Sequence, residues 1–323
     1  TAEDKSYSKI AGQVTDFVFD HERYGYSEDK AKNLSRSQQM VLAAAYQAAA
    51  DAGYLNGEDR LPEAMGSRTG VVLGSCHGNE LTSDLHLKYY YPEVAWHLDQ
   101  IEAFTRLPEK DREAILADLR DGMSPAEKYE PVHGVLLNME AARIAHHLGA
   151  TGVNYSVDAA CATSLTALDC AARELLAGTH DVMIAGGLNT NLAPETFIGF
   201  SKMGALSNDG SYPFDSRANG FVVGEGAGVV VLKRTRQAIA DGDRIYGIIR
   251  AIGASSDGKG KAIAAPNPAG QELCMRRCLK KLAGEVDLAD IDYIEAHGTS
   301  TIMGDAAEAT SIRNVYGKAG QVG

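Results

Sequence analysis

The stretch Val153–Asp158 (VNYSVD) is short, with Val153, Tyr155 and Val157 at alternate positions, and it runs without a linker into Ala159, Ala160 and Cys161. Helix-forming sequence then continues to Ala177 and stops at Gly178. A strand passed directly to a helix needs a sharp turn at the junction and a sheet to hold the strand, so this run reads as a buried central strand with the helix beginning at the cysteine. The pattern recurs along the chain. Ser35 and Gln38 read as a capping box for an Ala-rich helix from Gln38 to Ala52, closed by Gly53. TGVVLG at Thr69–Gly74 and VMIAGG at Val182–Gly187 read as buried strands, and Val135–Leu148 as a helix ending at Gly149. Phe221–Leu232 supplies two β-rich pieces around a Gly-Glu-Gly-Ala-Gly corner, a hairpin-like or bulged segment. It is no phosphate loop, because no Lys-Ser/Thr follows. Ile245–Ala254 is expected as a strand, Gln271–Leu282 as a helix, and Ile291–Ala296 as a strand that stops at His297. Apolar strands alternating with long helices define an α/β fold.

Between His77 and His133 the pattern lapses. Tyr89, Tyr90, Tyr91 and Trp96 precede a charged segment, Pro108 to Arg120, that fits an exposed helix, so this stretch reads as an insertion or a partner surface.

With 323 residues, 45% of them hydrophobic, the chain can bury a substantial core as one large domain or two joined halves. Lys and Arg total 31 against 43 Asp and Glu, a net charge of −12, and no basic stretch is present to follow a phosphate backbone. Nucleic acid is therefore not expected as a partner. Cys76, Cys161, Cys170, Cys274 and Cys278 form neither a disulfide framework nor a CxxC pair, which points to a reducing, cytoplasmic compartment. No apolar run approaches about 18 residues, so no membrane span is expected. The polar start at Thr1 to Ser8 lacks the features of a signal peptide, and without Met or a leading strand it is not expected to be the natural beginning.

A cysteine at a strand-to-helix turn places its sulfur at the positive end of the helix dipole, beside backbone N–H groups. Both favour thiolate, and the same N–H groups can hydrogen-bond the oxyanion formed when sulfur attacks a thioester or amide carbonyl. Ala159, Ala160 and Ala162 leave room for that carbonyl. From position alone, Cys161 reads more readily as a small packing residue than as a nucleophile. His297 adds weight, since it ends an apolar run and leads into Gly298, Thr299, Ser300 and Thr301, hydroxyl residues able to hold polar ligand groups. Cys76 and His77 are neighbours in an extended segment and point to opposite faces, which argues against a catalytic pair. Cys274 with Cys278, and His146 with His147, lack further ligands at zinc spacing and read as packing and surface residues, so no metal is expected. Glu225 and Asp305 read as structural charges near the site.

Three runs carry a resemblance: Val157-Asp158-Ala159-Ala160-Cys161-Ala162-Thr163-Ser164; Pro213-Phe214-Asp215 to Gly224-Glu225-Gly226-Ala227-Gly228; and Glu295-Ala296-His297-Gly298-Thr299-Ser300-Thr301 to Gly304-Asp305. In content, order and separation they resemble the nucleophile elbow, the Gly-rich sheet segment and the first-histidine loop of β-ketoacyl synthases. The resemblance runs from about Phe17 to Tyr316, and from Ser75 to Val132 it is loose. Ser255 to Lys261 and Ala265-Pro266-Asn267 to Gly270-Gln271 look closer to polyunsaturated-fatty-acid or enediyne-type iterative synthases.

The resemblance implies a thiolase-like five-layer αβαβα fold of two pseudo-symmetric halves, incomplete at both ends of this chain. Residues 1–240 would form the N-terminal half with the elbow and an insertion at about 77–133, and residues 241–323 the start of a truncated C-terminal half with the His-Gly-Thr loop. It further implies a decarboxylative Claisen condensation. Cys161 would take an acyl group from the phosphopantetheine arm of an acyl carrier protein, with its own N–H as one oxyanion donor. His297 would hold the thioester carbonyl of a malonyl-type extender, Thr299 and Thr301 would contact the arm, and Phe200 would line the acyl pocket or serve as a plain core aromatic. No cofactor would be bound beyond the carried substrates, and a homodimer and further domains of a multidomain synthase are implied partners. The family's second histidine, lysine and glycine-rich loop would follow the end of this sequence, so the chain as given is not expected to condense alone. Thr163 stands where serine is commoner, Ile302-Met303 replaces a Pro-containing pair, and Ala218-Asn219 replaces a more usual acidic residue. A silent dimer partner, a hydrolase and a thiolase working without decarboxylation are the competing readings; retention of Cys161 opposes the first, and the His297-Gly298-Thr299 context the others.

Overall fold

The computed structural model describes residues 4–76, 78–123, 131–260, 262, 265–282 and 284–317. The principal elements of the first half of the chain are α1 (Arg36–Asp51), β1 (Thr69–Gly74), α2 (Glu80–Leu98), α3 (Glu109–Met123), α4 (Asn138–Leu148) and β2 (Asn154–Val157). There follow α5 (Thr163–Leu176), β3 (Val182–Asn189), α6 (Pro194–Lys202), β4 (Gly226–Lys233), α7 (Pro268–Lys281) and α8 (Ile302–Tyr316). They fall into two compact units, one of residues 13–193 and 224–244, the other of residues 1–12, 194–223 and 245–323.

The first unit is built on a sheet of order β2-β1-β3-β4. Parallel pairing sets Gly74 opposite both Val157 of β2 and Gly187 of β3, and β4 runs antiparallel to β3 from Val182↔Lys233 to Asn189↔Gly226. Every residue of β1 is buried, and side chains alternate across it as the strand period requires. Val71 and Leu73 join Ile184 beneath α1 and α4, where Val41, Leu42, Ala45, Ile144 and Leu148 complete the core. Val72, Met183 and Ala185 face the other way and meet Ala167, Ala171 and Leu175, the single apolar stripe of α5.

Glycines at the ends of β1 and β3 let α5 approach closely. A Cβ on Gly74 would lie 2.7 Å from Thr163 Cγ2 and 2.9 Å from the Thr163 carbonyl, and one on Gly187 would lie 2.6 Å from Ser164 Cβ. The first turn of α5 therefore rests on the sheet itself. Gly74→Ala is expected to lose about 1–3 kcal/mol through overpacking, read from the denaturant midpoint; an unchanged midpoint would mean that the contact yields freely.

Several expectations need correction. Ser35 Oγ accepts from Gln38 N (3.2 Å), but Gln38 does not complete a capping box: its amide donates to His133 O (2.7 Å) and accepts from Arg143 Nε (3.0 Å). The helix expected from Val135 opens at Asn138, after a separate short helix, Pro131–Val135. The run expected as a central strand is an edge strand of the described sheet, and Val153 is 40% exposed. Val223–Gly224 and Gly226–Lys233 do not pair with each other, since Glu225 alone cannot reverse the chain.

Residues 245–254 form no ladder. Their carbonyls instead receive side chains of α7: Cys278 Sγ reaches Ala251 O (3.6 Å), Lys281 Nζ Ile252 O (2.7 Å), Cys274 Sγ Gly253 O (3.2 Å) and Arg277 Nη1 Ala254 O (2.8 Å). This gives Cys274 and Cys278 their place as packing residues. Ile291–Ala296 likewise forms no ladder among the described residues.

The excursion between β1 and α4 is closed at its base. Asn79 caps α2 and, fully buried, donates its amide to Gly134 O (2.8 Å). α3 is the charged helix expected there, while Tyr89, Tyr90 and Trp96 on α2 are exposed.

At the head of α1, Arg36 forks onto Glu225, Nε to Oε2 at 2.9 Å and Nη2 to Oε1 at 2.8 Å, and Val14 N also donates to Oε1 (2.9 Å). Arg36 holds the Glu225 carboxyl below the usual range against the opposing effect of burial, with Val14 N–H assisting. A depressed carboxyl stabilises the fold above its unfolded value, and that contribution fades as pH falls through the folded value. Arg36→Ala is therefore expected to destabilise by about 2–3 kcal/mol at neutral pH, since the carboxylate side chain is 5% exposed. The difference from wild type should shrink as the pH falls through the depressed folded value of Glu225, where the carboxyl takes up its proton and the ion pair with Arg36 is lost. Urea melts at several pH values measure it, and a pH-independent difference would contradict the assignment.

Candidate active site

β2 ends at Val157, Asp158 follows it, and the chain reaches α5 through a 3₁₀ turn, Ala160–Ala162, with Cys161 at its centre and Ala162 as the N-cap of α5. The helix thus starts at Thr163 and not at the cysteine, because Ala160 adopts φ +49°, a left-handed conformation incompatible with a continuous α-helix. Two side chains secure the turn. Asp158 Oδ1 accepts from Ala160 N (2.9 Å), and Thr163 Oγ1 accepts from Ala159 N (2.8 Å). Ala162 N donates to Ala159 O, and Thr163 N to Ala160 O. Those four N–H groups are committed within the elbow. Cys161 is exposed, at the positive end of a 14-residue helix.

Cys76 follows β1 beside the elbow. Burial pushes its thiol up, and the charges of Asp158, Cys161 and Glu140 push it further, the opposite of what a nucleophile needs. His77 lies outside the described residues.

The second unit holds His297, Thr299, Thr301 and Phe200. The loop before α8 is gripped by carboxylates from α8's own first turns. Glu308 accepts from His297 N at Oε1 (2.6 Å) and from Gly298 N at Oε2 (2.8 Å). Buried Asp305 accepts from Ser300 N at Oδ1 (3.1 Å) and from Phe214 N at Oδ2 (2.7 Å), joining this loop to Pro213–Phe214. Ser300 and Phe214 lie in the left-handed region, at φ +61° and +60°. Ser300 is fully buried and adds two bonds, accepting from Tyr212 N at Oγ (2.8 Å) and from Gly220 N at its carbonyl (2.7 Å). Thr299 and Thr301 hydroxyls meet at 3.0 Å, and the His297 side chain is exposed. Phe200, on α6, stacks edge-on against Phe221 at 5.1 Å, next to the Gly220–Ser300 bond. His297, Thr299 and Thr301 thus share one hydrogen-bonded loop, and Phe200 on α6 meets the same unit through its ring contact with Phe221. Asp305 and Glu225 hold the bonded structural positions expected of them. The double grip of Glu308 on the histidine loop had no sequence signal, because both donors are backbone groups.

Residues 1–238 match the family model for the β-ketoacyl synthase N-terminal domain, and residues 246–322 that for the β-ketoacyl synthase C-terminal domain. The chain belongs to the β-ketoacyl synthase family. It is 32% identical over 320 residues to a polyunsaturated fatty acid synthase chain of Thraustochytrium sp., covering 99% of this chain and 11% of that protein. It is 34% identical over 302 residues to a phenolphthiocerol/phthiocerol polyketide synthase chain of Mycobacterium tuberculosis, covering 93% of this chain and 14% of that protein. The chain therefore spans only a small part of these curated relatives. Among solved structures, the PfaC keto synthase–chain length factor superposes with a TM-score of 0.81 at 30% identity, over 98% of this chain and 32% of that one. The oxazolomycin ketosynthase domain OzmH KS7 of Streptomyces albus gives 0.76 at 28% identity, over 97% and 48%. The fold is the thiolase-like fold of these ketosynthases. Among the described residues no helix is long and apolar enough to cross a membrane, and no cluster of His, Cys, Asp or Glu is arranged to hold a metal ion.

Proposed function

We propose that this ketosynthase carries out decarboxylative condensation with Cys161 as its nucleophile. The observation that carries this reading is the exposed Cys161 on a strained turn ahead of α5. The thiolate attacks the thioester carbonyl of an acyl group carried on phosphopantetheine, the Cys161 N–H hydrogen-bonds the oxyanion, and the carrier thiol departs. A malonyl-type thioester then loses carbon dioxide, its C2 carbanion attacks the Cys161 thioester, and the product leaves as a β-ketoacyl carrier thioester while the Cys161 thiolate is regenerated. His297 polarises the extender's carbonyl, Thr299 and Thr301 hold the pantetheine arm, and Phe200 lines the acyl pocket. Residues 1–240 and 241–323 serve as portions of the two halves of the domain. The relatives are multidomain synthases, which supports an acyl carrier protein and adjoining domains as partners. β2 at the edge of its sheet offers unpaired backbone groups to a second copy, which supports a homodimer. A reducing, cytoplasmic setting fits a nucleophile that must remain a thiol.

Intact-mass measurement of the full-length protein mixed with short acyl-pantetheine thioesters tests this reading. One acyl mass, mapped by digestion to Cys161, is expected. Acylation elsewhere would overturn the assignment of Cys161, and no addition with any acyl group would overturn the reading in favour of a silent partner.

A further inference from the structure

Four residues other than glycine have positive φ among those described: Asp59, Ala160, Phe214 and Ser300. Three of them donate their backbone N–H to an aspartate carboxylate. Phe214 and Ser300 share Asp305, and Ala160 uses Asp158 Oδ1 at 2.9 Å. An L-residue is not stable in this region by itself, so each needs something around it to hold the conformation. Ser300 is packed in the interior, but Asp158, Ala159, Ala160, Cys161 and Ala162 are all exposed. Among the described residues packing does not hold Ala160, and its N–H bond to Asp158 is the contact that can.

We infer that Asp158 is a positioning residue for Cys161: by accepting the Ala160 N–H it keeps the residue before the nucleophile left-handed, and so aims the thiol. This rests on the reading of Cys161 as the acyl acceptor. The other side-chain bond in the turn, Ala159 N to Thr163 Oγ1, constrains a residue that has no positive φ, and the backbone bond from Thr163 N is made to the Ala160 carbonyl, leaving Asp158 as the group that holds the Ala160 N–H. What matters in this account is an acceptor atom at the right place, not the charge. An asparagine can provide that atom; an alanine cannot. A glycine at position 160 reaches positive φ without steric penalty and removes the need for the latch altogether.

The test is the rate of acyl transfer from an acyl-pantetheine thioester to Cys161, followed by intact mass, in wild type, Asp158→Ala, Asp158→Asn and the double variant Asp158→Ala with Ala160→Gly. Asp158→Ala is expected to slow transfer about tenfold, because a nucleophile that samples the wrong orientation reacts only in the fraction that is aligned. Asp158→Asn is expected to stay within about threefold of wild type, and the double variant to recover most of the loss. A full-rate Asp158→Ala, or a double variant as slow as Asp158→Ala, would overturn the inference. A merely structural loss would not be rescued by glycine two residues away. If wild type takes no acyl group, it is the acyl-acceptor reading that fails, and the ratios of iodoacetamide alkylation rates at Cys161 in the same four proteins still decide the latch.

Discussion

Cys161→Ser is expected to leave no acyl adduct and to lower the rate of acyl transfer by at least about 10³-fold. The reason is chemical rather than steric. A helix N-terminus in general favours the anion of a thiol, whose ordinary range lies close to neutral pH, and no comparable effect brings an alkyl hydroxyl into range. Because Cys161 is exposed and the exchange nearly isosteric, the melting point should move little. The pair of measurements therefore separates loss of the nucleophile from loss of the fold. A serine variant acylated within tenfold of wild type would remove Cys161 from its assigned role.

Asp305→Ala is expected to cost the second unit about 3–5 kcal/mol, the largest stability loss anticipated for a single side chain near the histidine loop. Two hydrogen bonds to a buried carboxylate disappear together, each worth about 1.5–3 kcal/mol, and the Ser300 N–H is left buried without its acceptor. Both donors are left-handed residues that relax when released, so the Pro213–Phe214 and His297–Thr301 loops should lose their registration. Asp305→Asn retains one acceptor oxygen and should lose about half as much. Denaturant unfolding gives the energies, and hydrogen exchange at the Ser300 and Phe214 amides should accelerate in the alanine variant. A loss below about 1 kcal/mol with unchanged exchange would show that other contacts hold these loops.

Local signals carried much of this into view. Thr69–Gly74 was legible as a buried strand because it is apolar on both faces, and it is one of the two interior strands of its sheet, with helices packed on either side. The end of α4 was legible from Gly149, which sits at φ +73° as its cap. What needed long-range information was not legible. Val153–Asp158 has the composition of a central strand, but its place at the edge depends on which strands pair. Residues 245–254 have β-branched sequence, yet their carbonyls are served by Cys274, Arg277, Cys278 and Lys281 across the turn of α7, an arrangement that no propensity encodes. At the site, Cys161 and His297 stood out through side-chain chemistry and flanking glycine or alanine. The braces around them, Asp158 on Ala160 and Glu308 on His297 and Gly298, act on main-chain N–H groups that any sequence possesses.

The Asn79–Gly134 bond at the base of the α2–α3 excursion has a consequence for how such chains diversify. Once the two ends are pinned, the free energy of closing the loop rises only logarithmically with the residues inside it, by about 0.6 kcal/mol per doubling. Lengthening, trimming or replacing the segment between these two anchors would leave the register of β1 and the seat of α5 untouched. The excursion is thus expected to accept insertions at a small energetic penalty, and to serve as a splice point at which a foreign sequence can be exchanged without retuning the elbow.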